Sequence, residues 1–140
     1  SRIERAAGGS VRGKVIAVLG VTFKPNTDDM RDAPSLIVIP MLQERGATIR
    51  AYDPQGRKHG ESLLPGVEWC NSALEAAKSA DIVVVLTEWN EFRALNLRAL
   101  KSVMRGDILV DLRNIYQPRD AIAQGFRYSS IGRPIPPSQT

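Results

Sequence analysis

Residues 15–35 read VIAVLGVTFKPNTDDMRDAPS. An apolar, β-branched run ends at Gly20, a polar loop follows, and Pro34 opens a segment of helical character. This is a strand–loop–helix unit, and the loop carries Lys24, Asp28, Asp29 and Arg31. Its cations stand where a helix N-terminus already favours anions. In open α/β sheets such a junction, at the carboxyl end of a strand, is where phosphorylated ligands bind.

The same pattern recurs along the chain. Lys14 to Val21 reads as a buried strand, and a helix runs from about Pro34 to a stop at Gly46, with Pro40 expected to kink it. Thr48 to Tyr52 is a second strand, ended by an Asp53-Pro54 turn. Residues 54–66 read as a loop rich in Gly, Pro and charge, and Val67 to Trp69 as a short third strand. Ser72-x-x-Glu75 is a capping box ahead of a helix at 73–79. Asp81 to Thr87, DIVVVLT, is apolar continuously rather than alternately, as a parallel strand covered on both faces should be. Glu91 to Met104 reads as helix in two pieces and Asp107 to Leu112 as a strand. A short helix at 118–124 stops at Gly125, and Phe126 to Ile131 is the last strand. Residues 1–10 read as a helix running out into a Gly-Gly-Ser break, and the Pro-rich end, 133–140, as a disordered tail. Alternation of this kind predicts an α/β, Rossmann-like, doubly wound parallel sheet of about six strands in three layers.

A chain of 140 residues makes one domain. It contains one cysteine and one histidine. No internal disulfide is possible, which fits a reducing, cytoplasmic compartment. Cys70 has neither base nor cation beside it and reads as a packing residue. A His-based metal site or triad is not expected. No apolar run reaches the ~18 residues of a membrane span, and no leader peptide is evident. The first residue is Ser, and the opening reads as mid-protein sequence. The net charge of +4 admits an acidic partner. The cations are scattered, however, so a small phosphorylated ligand fits better than nucleic acid.

The loop departs from the dinucleotide fingerprint. GxGxxG is expected after the first strand of such a fold, whereas here Gly20 is followed by Val-Thr-Phe-Lys24. Charge must come from side chains: Lys24 as a compact cation and Arg31 as a planar fork. Alternatively, both simply pair with Asp28, Asp29 and Asp32 in a solvated loop. Asp53 stands where a ribose-binding acid would stand, although without the glycines an Asp-Pro turn is the favoured reading. Arg113, in Asp111-Leu-Arg113, lies at the same sheet edge and would converge with Lys24 on one anion, or form a surface pair with Asp111. In Thr87-Glu88-Trp89, the indole would stack on a ligand or, as favoured, cover the core. A contact surface built on Trp89 and Phe92 is a further alternative.

The strings GVTFKPNTDDMRDAPS, AYDP, DIVVVLTEWNEF and DLRNIY resemble the C-terminal domain of the UDP-glucose/GDP-mannose dehydrogenase family, over residues from about Lys14 to about Gly132. Within that family the loop is most similar to the branch acting on UDP-glucose. The resemblance implies a nucleotide-sugar-binding domain over 13–132, preceded in 1–12 by the end of a connecting segment. It implies that Lys24 and Arg113 contact the UDP-sugar, that Phe23 flanks the sugar, and that Arg31 contacts NAD across a cleft. It further implies an N-terminal NAD-binding domain as partner, a homodimer, and a catalytic cysteine in a Gly-rich motif that nothing here matches. No catalytic residue is therefore expected in this stretch, and the chain alone is expected to lack dehydrogenase activity. A different nucleotide sugar, or a non-catalytic nucleotide-binding module, are the alternatives.

Overall fold

The computed structural model describes residues 2–131. Its elements are α1 (Arg2–Ala6), β1 (Val15–Leu19), α2 (Ser35–Glu44), β2 (Thr48–Tyr52), α3 (Arg57–Leu63), β3 (Glu68–Trp69), α4 (Ala73–Ala77), β4 (Ile82–Val85), α5 (Asn90–Arg93), α6 (Leu97–Val103), β5 (Ile108–Asp111), α7 (Pro118–Ala123) and β6 (Arg127–Ser130). The six strands form one sheet in the order β3-β2-β1-β4-β5-β6, and every pairing is parallel. The order reverses between β1 and β4, which is the topological switch of a doubly wound sheet. The tail expected at 133–140 lies outside the described residues.

The continuous apolar runs follow from burial on both faces. Ile16, Val18, Ile49, Ile82, Val84 and Val110 point to one side, where they pack with Ile39 and Leu42 of α2 and with Ile3 of α1. Ala17, Leu19, Val83, Val85 and Leu109 point to the other, against the alanines of α4, Phe92 and Leu100. Alternating side chains on a central strand thus feed two cores, which makes three layers. The opening segment packs against the first of these cores: Ile3 and Val11 are buried, and Arg2 donates to the Ser130 carbonyl at 3.0 Å.

One element departs from expectation. Residues 57–63, read as loop, form α3. Gly60 in its middle lowers its helical propensity, and no side chain caps its start at Gly56. Gly60 is kept there by packing, because a Cβ at that position would collide with the Trp69 indole. Elsewhere the helix at 73–79 ends at Ala77, and α2 is continuous through Pro40. The Ser72–Glu75 box forms: Ser72 Oγ accepts from the Glu75 N–H at 3.0 Å, and the Glu75 carboxylate accepts from the Asn71 N–H at 2.7 Å.

Candidate functional site at the carboxyl edge

Strand register fixes which loops meet. Leu19 pairs with Tyr52 and with Val85, and Val85 pairs with Asp111. The segments that follow, 20–34, 53–56, 86–89 and 112–117, therefore emerge side by side at one edge. They carry Phe23, Lys24, Arg31, Asp53, Glu88 and Arg113.

Asp53 ties three of these loops together. It is 5% exposed. Its Oδ1 accepts from the N–H groups of Gln55 (2.9 Å) and Gly56 (2.7 Å), closing the turn after β2. Its Oδ2 accepts from the N–H groups of Val21 (2.8 Å) and Thr22 (3.1 Å) and from the Trp89 indole (3.3 Å). The favoured Asp-Pro turn is present, with a long-range role added to it. A carboxylate offers about four lone-pair sites, and five N–H donors already use them, so Asp53 has no capacity left for a ribose diol. Thr87 Oγ1 donates to the Thr22 carbonyl at 2.8 Å across the switch. Gly20 packs there so tightly that a Cβ would lie 2.5 Å from Thr87 Cβ. At the switch between β1 and β4 the chain's own Asp53, Thr87 and Trp89 side chains thus join the loops.

A second buried carboxylate organises the loop after β5. Asp111 is fully buried. Its Oδ1 accepts from the Arg113 N–H (3.1 Å), and its Oδ2 accepts from the Tyr116 N–H (2.9 Å) and the Tyr128 hydroxyl (2.7 Å). The Tyr116 hydroxyl donates to the Phe92 carbonyl at 2.5 Å, and burial followed by the Asp111 charge pushes its pKa up. The alternative of an Asp111–Arg113 surface pair is thus not what forms. The carboxylate turns inward to backbone and tyrosine, and the Arg113 guanidinium is held instead by Glu88 Oε2, with Nε at 2.7 Å and Nη2 at 2.5 Å.

Lys24 and Arg113 do share the edge. Two strand spacings, about 10 Å, separate β1 from β5, with the Glu88–Trp89 segment between them. Among the described residues the Lys24 ammonium makes no hydrogen bond or ion pair. Phe23 beside it is 48% exposed, an uncommon state for a phenylalanine. Trp89 and Phe92 are both buried, which bears out Trp89 as a core residue and removes these two as an exposed contact surface.

Arg31 is paired locally. Its backbone N–H, Nε and Nη2 donate to Asp29 at 2.9, 3.1 and 3.0 Å. The Arg31 hydrogen bonds hold the Asp29 carboxyl down at about 2. Because the folded value lies below the ordinary carboxylate value, this clamp is fully formed above that ordinary range and is lost as pH falls through about 2. His59 Nε2 lies 3.2 Å from Asp28 Oδ2, joining α3 to the loop. Between them opens a cavity of about 500 Å³, lined by Asp28, Asp29, Met30, Arg31, His59 and Leu63. Cys70 is buried, and burial raises its thiol pKa, the opposite of an activated nucleophile. Among the described residues no cluster of three or more His, Cys, Asp or Glu side chains could hold a metal, and no helix is long and apolar enough to cross a membrane.

Residues 17–118 match the model of the UDP-glucose/GDP-mannose dehydrogenase family, UDP binding domain. The chain is 53% identical over 133 residues to the UDP-glucose 6-dehydrogenase of Rhizobium meliloti, covering 95% of this chain and 30% of that protein. It is 44% identical over 126 residues to the UDP-glucose 6-dehydrogenase YwqF of Bacillus subtilis, covering 89% and 29%. Among solved structures, the NDP-N-acetyl-D-galactosaminuronic acid dehydrogenase from Methanosarcina mazei superposes with a TM-score of 0.79 at 29% identity, over 94% of this chain and 27% of that one. A UDP-glucose dehydrogenase from Pyrobaculum islandicum superposes with a TM-score of 0.75 at 27% identity, over 91% and 27%. The chain spans about 30% of the length of the curated relatives it matches. Its sheet order, its FKPNTDDMR loop and the family match over residues 17–118 agree, and the chain belongs to the UDP-glucose/GDP-mannose dehydrogenase family, as that family's UDP binding domain.

Proposed function

We propose that this domain is the nucleotide-sugar lobe of an NAD-dependent UDP-glucose 6-dehydrogenase, with Lys24 and Arg113 contacting the UDP-sugar and Phe23 flanking the sugar. The observation that carries the reading is the Lys24 ammonium, without a hydrogen-bonding partner among the described residues, beside an exposed Phe23 at the ligand-facing edge of the sheet. An anion seated there replaces water on Lys24 and competes with Glu88 for Arg113. Charge-assisted bonds of this kind contribute about 1.5–3 kcal/mol each.

In the complete polypeptide the proposed reaction oxidises C6 of the glucosyl group from alcohol to carboxylate. Two hydrides pass to two NAD, and water supplies the added oxygen. The chemistry is assigned to residues outside this chain, since Cys70 is buried and unactivated. The residues present do not form a dinucleotide cradle: the GxGxxG fingerprint is missing and Asp53 is saturated. The proposed contribution to NAD is one surface contact from Arg31, the rest coming from an N-terminal domain within a homodimer. The domain boundaries that accompany this reading are 13–132, with 1–12 as the end of a connecting segment.

A second reading keeps the site and changes the sugar. It is favoured by the superposition on a dehydrogenase of an N-acetylated nucleotide sugar. UDP-glucose and UDP-N-acetylglucosamine titrated into this chain, followed by NMR because half-cleft affinities are low, test both. Lys24→Ala and Arg113→Ala are each expected to weaken UDP-glucose binding by about tenfold or more. Unchanged affinity in both variants would remove the proposed site, and a preference for the N-acetyl sugar would favour the second reading.

A further inference from the structure

We propose that Asp53 is a positioning residue for nucleotide-sugar binding, setting the place of Lys24 and its spacing from Arg113. The inference rests on the reading that Lys24 contacts the UDP-sugar. Asp53 lies on neither cation's loop, yet it reaches both.

Toward Lys24 the link is short. Asp53 Oδ2 holds the N–H groups of Val21 and Thr22 at 2.8 and 3.1 Å. The Thr22 hydroxyl lies 3.1 Å from that same oxygen and 3.1 Å from the Lys24 carbonyl oxygen. The backbone from Val21 to Lys24 is thereby laid onto one buried carboxylate. Toward Arg113 the link runs through the β4 loop. The same Oδ2 accepts from the Trp89 indole, and the residue before Trp89, Glu88, grips the Arg113 guanidinium through two nitrogens. The support of Lys24, and the part of Arg113's support that runs through Glu88, thus end on one side chain that is 5% exposed, while Asp111 holds the Arg113 backbone. Buried, fully satisfied polar networks of this kind select one arrangement of the segments they join. A mobile Lys24 loop would have to be ordered at the moment of binding, and that cost would appear as lost affinity.

Asp53→Asn tests this because it keeps the shape and replaces one acceptor oxygen with a donor. With the amide nitrogen in the Oδ2 place it faces the Val21 and Thr22 N–H groups, and in the Oδ1 place those of Gln55 and Gly56, so either orientation loses the charge and sets a donor against one of the two segments that the carboxylate joins. UDP titrations followed by NMR would be run on this chain as wild type, Asp53→Asn, Lys24→Ala and the double variant, all well below their melting temperatures. The expected result is a folded Asp53→Asn protein that binds UDP about tenfold more weakly than wild type. In the Lys24→Ala background the same change should cost less than about twofold, because a residue acting through Lys24 has nothing left to position.

An Asp53→Asn protein with wild-type affinity overturns the inference and leaves the UDP-sugar reading intact. An equal loss in both backgrounds also overturns it, marking a general structural role. If Lys24→Ala binds as wild type, the underlying reading fails and this inference fails with it. Should Asp53→Asn not fold, Thr22→Val decides: it removes only the hydroxyl between Asp53 and the Lys24 carbonyl. About threefold weaker binding in the wild-type background and none further in Lys24→Ala supports the positioning role, and unchanged affinity in the wild-type background overturns it.

Discussion

An Asp111→Ala variant should lose about 4 kcal/mol of stability, a large part of what a domain of this size has to spare. The carboxylate is fully buried and receives the Tyr128 hydroxyl at 2.7 Å and the Tyr116 N–H at 2.9 Å. Each orphaned buried donor costs about 1–3 kcal/mol, and bonds to a charged acceptor lie at the upper end. The side chain removed is small, so its packing adds little; the loss comes from the Tyr116 and Arg113 N–H groups left unsatisfied and from the Tyr128 hydroxyl exchanging a charged acceptor for the Tyr116 carbonyl at 3.1 Å. Urea denaturation measures it as a lower midpoint with an unchanged slope. Asp111→Asn should lose less, since one acceptor oxygen survives. A loss below about 1 kcal/mol in Asp111→Ala would mean that Tyr116 and Tyr128 find other partners. The change also frees the Arg113 backbone N–H, which Asp111 Oδ1 holds at 3.1 Å, so the stability of the domain and the placement of one cation share a group.

Gly20→Ala should cost about 3 kcal/mol through two separable effects. Gly20 has φ +92°, where an L side chain is strained by roughly 1–2 kcal/mol. Its added Cβ would also sit 2.5 Å from Thr87 Cβ and 2.7 Å from Thr87 N, at the switch between β1 and β4. Relief requires the loop after β4 to move, and overpacking of this kind costs about 1–3 kcal/mol. A Thr87→Gly background removes the Cβ and Oγ1 that the added methyl would meet. Gly20→Ala should therefore cost measurably less there, by thermal or urea denaturation. An equal cost in both backgrounds would leave backbone strain as the whole effect and remove the close approach from the account.

The layers of this fold were legible because its central strands are buried on both sides. The run from Val15 to Leu19 and the DIVVVLT segment show no alternation, and Pro34, Gly46 and Ser72 punctuate the helices in the usual places. Local signals of this kind survive folding. Helix α3 was hidden because Gly60 in its middle lowers its propensity, and the reason for Gly60, the ring of Trp69, is tertiary. Asp53 was legible as a ribose-binding acid or, as favoured, an Asp-Pro turn, and not as a tie between loops. Its partners Val21, Thr22 and Trp89 are distant in sequence, and nothing local marks them.

The Arg113–Glu88 pair was missed for a similar reason, though a signal existed. Once β4 and β5 are taken as parallel neighbours with Val85 opposite Asp111, Glu88 and Arg113 leave the sheet together and have opposite charge. Lys24 and Phe23 could be placed from the strand–loop–helix pattern alone. Their part in binding a UDP-sugar is implied by the family resemblance of the FKPNTDDMR loop.

Backbone amide shifts recorded while UDP-glucose is titrated into this chain locate the binding site residue by residue. The largest changes are expected at Phe23, Lys24, Glu88 and Arg113, saturating together with one dissociation constant. None is expected at the opposite, amino edge of the sheet or in the groove between α6 and α7 at Asn96 and Gln124. Changes centred on that groove, or absent from 20–34 and 112–117 at saturating ligand, would contradict the proposed site.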